Sequence, residues 1–151
     1  MRIDDAVDSD DQGYLITIIE EKNMKQDIIM TMQEAIENEG KATIYGILFD
    51  VAKSTIKPES AEALKQITDY LNANPDVKII IVGHTDITGN FLSNITLSKE
   101  RAESIKNYLI TTGKIAGTRL QADGVGPLCP VSTNSTDEGR KLNRRVEIVK
   151  Q

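Results

Sequence analysis

A chain of 151 residues, 39% hydrophobic and 27% charged, is long enough for one domain with a real core and has the composition of ordinary globular protein. Its net charge of −5 argues against nucleic acid or an anionic membrane as the main partner, because phosphate recognition needs a cationic face. No apolar run approaches the ~20 residues that span a bilayer, and the single cysteine, Cys129, excludes an internal disulfide and reads as a small loop hydrophobe.

Residues 1–13 are acidic and poor in apolar side chains, and read as a mobile leader. No basic, apolar signal segment is visible there, so an exported protein would carry its signal outside this chain. Tyr14 to Glu20 alternates in the manner of a strand. Met24, Ile28, Met32 and Ile36 recur at helical spacing up to Gly40, a natural C′ residue, and this methionine-rich stripe reads as core. Ala42 to Phe49 reads as a second strand. Pro58 opens a helix whose apolar stripe is Ala61, Leu64, Ile67 and Leu71, since proline is tolerated where a helix has no N–H to pair.

Val77 to Val82 is short, β-branched and bounded by Pro75 and Gly83, the signature of a buried strand. It leads into Gly83-His84-Thr85-Asp86 and a polar loop with Gly89 and Asn90. A helix is then predicted from near Ser98, with Arg101 in its first turn and Ala102, Ile105, Tyr108 and Leu109 facing inward, ending at Thr111-Thr112-Gly113. Arg119 to Ala122 reads as a short strand, residues 124–143 as a long polar loop of functional or lid character, and Arg144 to Val149 as a closing strand. Strands alternating with helices predict helices packed on one or both faces of a sheet. One domain over 14–151 is expected, with 14–40 as an N-terminal elaboration.

An arginine in a first turn, beside free N–H groups, makes an anion site. Asp86 lies on the loop that leads to it. The two together suit a zwitterion, an ammonium at Asp86 and a carboxylate at Arg101; spacing alone favours the plainer reading, a solvated Arg101 or an internal salt bridge, which at a surface is worth only ~0–1 kcal/mol. Arg140, Lys141, Arg144 and Arg145 invite a phosphate reading, but in an acidic domain they suit internal carboxylates and loop carbonyls better. His84, the only histidine, reads as a packing residue that fixes the next loop. No serine elbow, P-loop, dinucleotide fingerprint or zinc spacing is present, so no metal or cofactor is expected. The surviving enzyme reading is a carboxylate pair, Asp50 with Asp86, cutting a glycan; it needs ~5–9.5 Å between them and one raised pKa.

Gly83-His84-Thr85-Asp86, Gly89, Asn94, Leu97-Ser98, Arg101-Ala102, Gly124, Gly126, Pro130, Asn134, Glu138-Gly139-Arg140 and Asn143-Arg144-Arg145-Val146, in that order, resemble the OmpA-like C-terminal domain. That family is the non-covalent peptidoglycan-binding module of outer-membrane proteins, peptidoglycan-associated lipoproteins and flagellar stator proteins, and the resemblance covers about 42–149. It implies an α+β fold, a mixed sheet with helices layered against it, and recognition without catalysis, of the zwitterionic end of meso-diaminopimelate in the stem peptide. Asp86 would accept from the ammonium, and Arg101 would hold the carboxylate with help from first-turn N–H groups. Leu97 would wall the aliphatic chain, and Asn94 would order the loop or bond a peptide carbonyl. Thr85 and the Phe49-Asp50 pair would line the rim, and Asn143 and Arg144 would border the cleft; Phe49 as core and Asp50 as a turn cap is the other reading. The resemblance also implies a periplasmic, outer-membrane-associated place, with membrane contact only through an anchor outside this chain. Ile87 departs from the polar residue often found at its position. The rival expectation is a scaffold that has lost wall binding and meets a protein partner through residues 14–40.

Overall fold

In the computed structural model the backbone is described from residue 24 and the side chains from residue 32. The acidic leader and the strand expected over Tyr14–Glu20 lie outside the described residues, as do the side chains of Met24 and Ile28. The first helix, α1 (Met24–Glu39), stops at Gly40, whose φ of +82° is open to glycine at little cost. Its Met32 and Ile36 are core residues.

Strand β1 (Lys41–Ile44) is shorter than the sequence suggests. The Ser60 hydroxyl takes both main-chain groups of Leu48, accepting from its N–H at 2.7 Å and donating to its carbonyl at 3.1 Å, and this clamp draws the chain away from the sheet. The chain then turns through a hairpin-like loop, closed by a single bridge between Phe49 and Ile56. Pro58 opens a 3₁₀ turn that runs directly into α2 (Ala61–Ala73). Strand β2 (Ile79–His84) carries the chain to the Thr85-Asp86 corner.

Helix α3 (Phe91–Thr111) begins well before Ser98. Asn90 is its N-cap, with the side-chain oxygen accepting from the Ser93 N–H at 2.9 Å. Arg101 therefore stands roughly three turns into the helix, out of reach of the first-turn N–H groups and of the macrodipole's positive end. Ser98, the expected start, is a buried mid-helix residue: its hydroxyl donates to the Ile95 carbonyl and accepts from the Gly126 N–H. Strand β3 (Leu120–Gly126) is longer than expected, and the supposed loop over 124–143 contains α4 (Asp137–Asn143), capped by the Thr136 hydroxyl. Only 127–136 is irregular. Strand β4 (Arg145–Lys150) closes the fold.

The sheet order is β1-β4-β2-β3, with β2 and β3 parallel and the other pairs antiparallel. Ile79, Ile81, Val146 and Ile148 point to one face and join Leu64, Ile67, Leu71, Ile105 and Leu109 in a single core. Helix α3 lies directly on the ends of β2 and β3. A Cβ at Gly83 would stand 2.3 Å from the Ser98 carbonyl oxygen, and one at Gly124 would stand 2.2 Å from the Lys99 nitrogen. Glycine at both positions is what lets helix and sheet touch backbone to backbone. Among the described residues, no helix is long and apolar enough to cross a membrane.

Candidate ligand cleft

The close seat of α3 brings its Asn94, Leu97 and Arg101 over the end of β2. Opposite them stand the loop after β1 and the start of β4. Between these parts lies a cleft of about 970 Å³. Six of the eight residues expected to meet the ligand line it: Phe49, Asp86, Asn94, Leu97, Arg101 and Arg144. Thr85 and Asp50 do not. Thr85 is buried behind Asp86, where its hydroxyl donates to the Asp86 carbonyl at 2.8 Å and its N–H to the Gly126 carbonyl at 2.9 Å. It props the corner rather than forming a rim.

Asp86 and Arg101 are not paired with each other. The partner of Asp86 is Arg144, with Nη1 2.6 Å from Oδ2, while Oδ1 accepts from the Thr88 N–H at 2.8 Å. Burial alone would raise the Asp86 carboxyl, but the Thr88 N–H, the Arg144 guanidinium and the Thr88 hydroxyl outweigh it and hold the group below the usual carboxylate range. Asp86 is thus an anion, the reverse of the raised pKa that a glycosidase acid needs.

Arg101 is held by carbonyls. Its Nε donates to Lys53 at 2.9 Å and its Nη2 reaches the Asp50 carbonyl at 3.4 Å, so Asp50 contributes its main chain. The guanidinium lies over the Phe49 ring, 4.8 Å from the centroid, a cation–π contact. Burial lowers the pKa of Arg101 from its usual high value, and the group stays cationic. Nη1 has no protein partner among the described residues. Asn94 donates to the Thr88 carbonyl at 2.9 Å and so orders the loop that carries Asp86.

Below the cleft, on the sheet face opposite the core, His84, Glu147 and Arg145 form a buried charge cluster. Glu147 accepts from Arg145 at 2.9 Å and from Lys41 at 3.3 Å. His84 Nε2 lies 3.2 Å from Glu147 without hydrogen-bond alignment, and neither ring nitrogen has a hydrogen-bond partner. Burial first, then the Arg145 charge, lower the His84 pKa against a smaller opposing pull from Glu147, so the ring is neutral near pH 7. Cys129 is exposed rather than packed, and its carbonyl accepts from Arg145.

Some site-building residues escaped the sequence reading. Tyr45, Leu48 and Leu142 also line the cleft, joined by a Tyr45 hydroxyl bond to the Leu142 carbonyl at 3.1 Å. Asn143, by contrast, expected to border the cleft, does not line it: fully buried, it holds the irregular segment, its oxygen accepting from the Val131 and Ser132 N–H groups and its amide donating to the Ser132 carbonyl and Asn134. The run of conspicuous polar residues through Asn143-Arg144-Arg145 was the one available signal. Among the described residues no group of histidines, cysteines and carboxylates is placed to hold a metal.

The sequence model of the OmpA family matches residues 48–144. Outer membrane protein A of Bordetella avium is 45% identical over 100 residues, 66% of this chain and 51% of that protein. The peptidoglycan-binding protein ArfA of Mycobacterium tuberculosis is 41% identical over 103 residues, 68% of this chain and 31% of that protein. This chain therefore spans about half, or less, of the length of these relatives. The solved peptidoglycan-associated lipoprotein of Burkholderia pseudomallei superposes with a TM-score of 0.62 at 27% identity, covering 72% of this chain and 89% of that one. These relatives are named as an outer membrane protein, a peptidoglycan-binding protein and a peptidoglycan-associated lipoprotein, and with Asp86 held ionised the glycan-cutting reading of Asp50 and Asp86 is dropped.

Proposed function

This chain belongs to the OmpA family, and from that premise we propose that it is a peptidoglycan-binding module that ties an envelope protein to the cell wall through the diaminopimelate of the stem peptide. The observation that carries the reading is one cleft holding an ionised, largely buried acceptor, Asp86, and a fixed guanidinium, Arg101, with an unused N–H edge. Asp86 takes the ligand ammonium. Arg101 presents Nη1 to the carboxylate, its plane fixed by the Phe49 ring and two loop carbonyls. Leu97, Leu48 and Leu142 wall the methylenes, and Asn94 and Thr85 hold the Asp86 loop in place. Helix N-terminal N–H groups take no part, because Arg101 lies mid-helix.

Charge-assisted hydrogen bonds contribute ~1.5–3 kcal/mol each. Two or three of them, less the cost of ordering, give roughly micromolar to millimolar affinity for one unit. A weak site suffices on a wall that repeats its epitope, since an anchored protein meets it at high effective concentration. The same reading puts the domain in the periplasm, associated with the outer membrane.

The test is a pull-down on diaminopimelate-type sacculi with wild type, Asp86→Asn and Arg101→Ala, and free meso-diaminopimelate as competitor. Binding by wild type that the competitor and each substitution remove is the expected result, with melting temperatures little changed. Folded wild-type protein that stays in solution would overturn the reading and leave a scaffold for a protein partner.

A further inference from the structure

We propose that Arg144 is the specificity-determining residue of this cleft: it occupies Asp86 in the unliganded protein, so that a ligand must bring an anion as well as a cation to take its place. The proposal rests on the reading of the cleft as a wall-peptide site and adds to it what the site rejects.

Both oxygens of Asp86 are engaged before any ligand arrives, one by the Thr88 N–H and one by Arg144 Nη1. Apart from Arg145, which Glu147 matches, the charges lining the cleft are Asp86 and Glu138 against Arg101, Lys141 and Arg144, with Asp86 and Arg144 already paired to each other. A bare ammonium would thus enter a cleft with an excess of positive charge, toward a carboxylate already compensated. Like charges in so small a space repel.

The Arg144 guanidinium is nevertheless free to move. Its side chain is 50% exposed, it comes after α4 in an extended conformation, and its Nε and Nη2 have no protein partner among the described residues. When an ammonium displaces it from Asp86, its fork needs another anion close by. A carboxylate on the same carbon as the ammonium supplies one, and Arg144 can then close over the ligand from the side opposite Arg101. An ammonium alone supplies none. The pair of arginines therefore favours the zwitterionic end of diaminopimelate over the simple amine of a lysine side chain, with Arg144 acting by exclusion and Arg101 by attraction.

Isothermal titration of two tripeptides tests this, L-Ala-γ-D-Glu-meso-diaminopimelate and L-Ala-γ-D-Glu-L-Lys, which differ by one carboxylate. Wild type is expected to prefer the first by about tenfold or more, roughly the worth of one charge-assisted contact. Arg144→Gln is expected to bind the lysine peptide more tightly than wild type does and to shrink the preference to about threefold or less, while Arg144→Lys retains most of it. If Arg144→Gln weakens both peptides alike, or leaves the preference unchanged, the residue is not the filter. If wild type binds neither peptide, the wall-recognition reading falls, and this proposal with it. A titration of the Asp86 carboxyl by carbon NMR in the free protein tells these failures apart. Arg144→Gln raises it if the latch exists, whatever the ligand; an unmoved carboxyl overturns the latch alone.

Discussion

Asp86 and Arg101 illustrate what single residues reveal. Their chemistry was legible from type and order, and both line one cleft. Their partners were not legible, because the arginine that reaches Asp86 comes from the start of β4, far along the chain, and no spacing rule selects Arg144 over Arg101. Phe49 was open between core and cleft. It serves both, since its ring packs against the core and carries the Arg101 guanidinium. Phe49→Leu keeps the apolar volume and removes the π face. Wall-peptide affinity should then fall by about two- to fivefold, the worth of a cation–π contact of ~0.5–1 kcal/mol, with a small change in melting temperature. Equal affinity in a titration of the two proteins would show that the loop carbonyls alone orient Arg101.

Helix α3 is the element where pattern and structure part. Phe91 and Leu92 are exposed, so the first turns show no inward stripe, and Ser98 looks like a cap while being buried. Helix α4 is short and mostly polar, with acids in its first turn and bases in its last, which suits the helix dipole but gives no periodicity to detect. The strands β2 and β4, by contrast, announce themselves, β2 as a bounded β-branched run and β4 through alternation. The contact that matters most for the site is the glycine seat under α3. Gly124→Ala forces a methyl into the Ser98–Lys99 backbone and should cost about 1–3 kcal/mol as overpacking, while lifting Asn94, Leu97 and Arg101 off the cleft. Urea unfolding and peptide titration should fall together. A variant that loses neither would show that α3 has slack at this point.

For the molecule as a whole, helices packed on a sheet were legible in the alternation of strands and helices, and the mixed sheet only through the family resemblance; the strand order was legible in neither, since long-range pairing leaves no mark in local sequence. That order is what creates the buried cluster of His84, Glu147 and Arg145, with the half-exposed Lys41 at its edge. Its consequence is a stability that depends on pH. Unfolded, His84 titrates near its ordinary 6.5; folded, burial keeps it neutral to lower pH. Below that value the unfolded chain takes up a proton that the folded one refuses, so stability is full above it and falls as pH drops, until folded His84 protonates as well. Asp86 and Glu147, held below their ordinary 3.8 and 4.5, act in the same direction in a lower window. Urea midpoints between about pH 8 and pH 3 should descend in two stages, and His84→Gln should remove the upper one. A single acid transition in wild type would mean that the ring is not buried neutral.

The place of β2 in the sheet has a mechanical consequence. The strand that delivers Asp86 is hydrogen-bonded on both sides, to β4 and to β3, and the core lies against it. Force applied at Asp86 runs along this strand. To extract it, a pull must shear two ladders at once, loading many hydrogen bonds in parallel, whereas an edge strand peels away one bond at a time. Under tension the grip on the ligand should therefore slip before the sheet tears, and a domain that lets go intact is ready to take hold again.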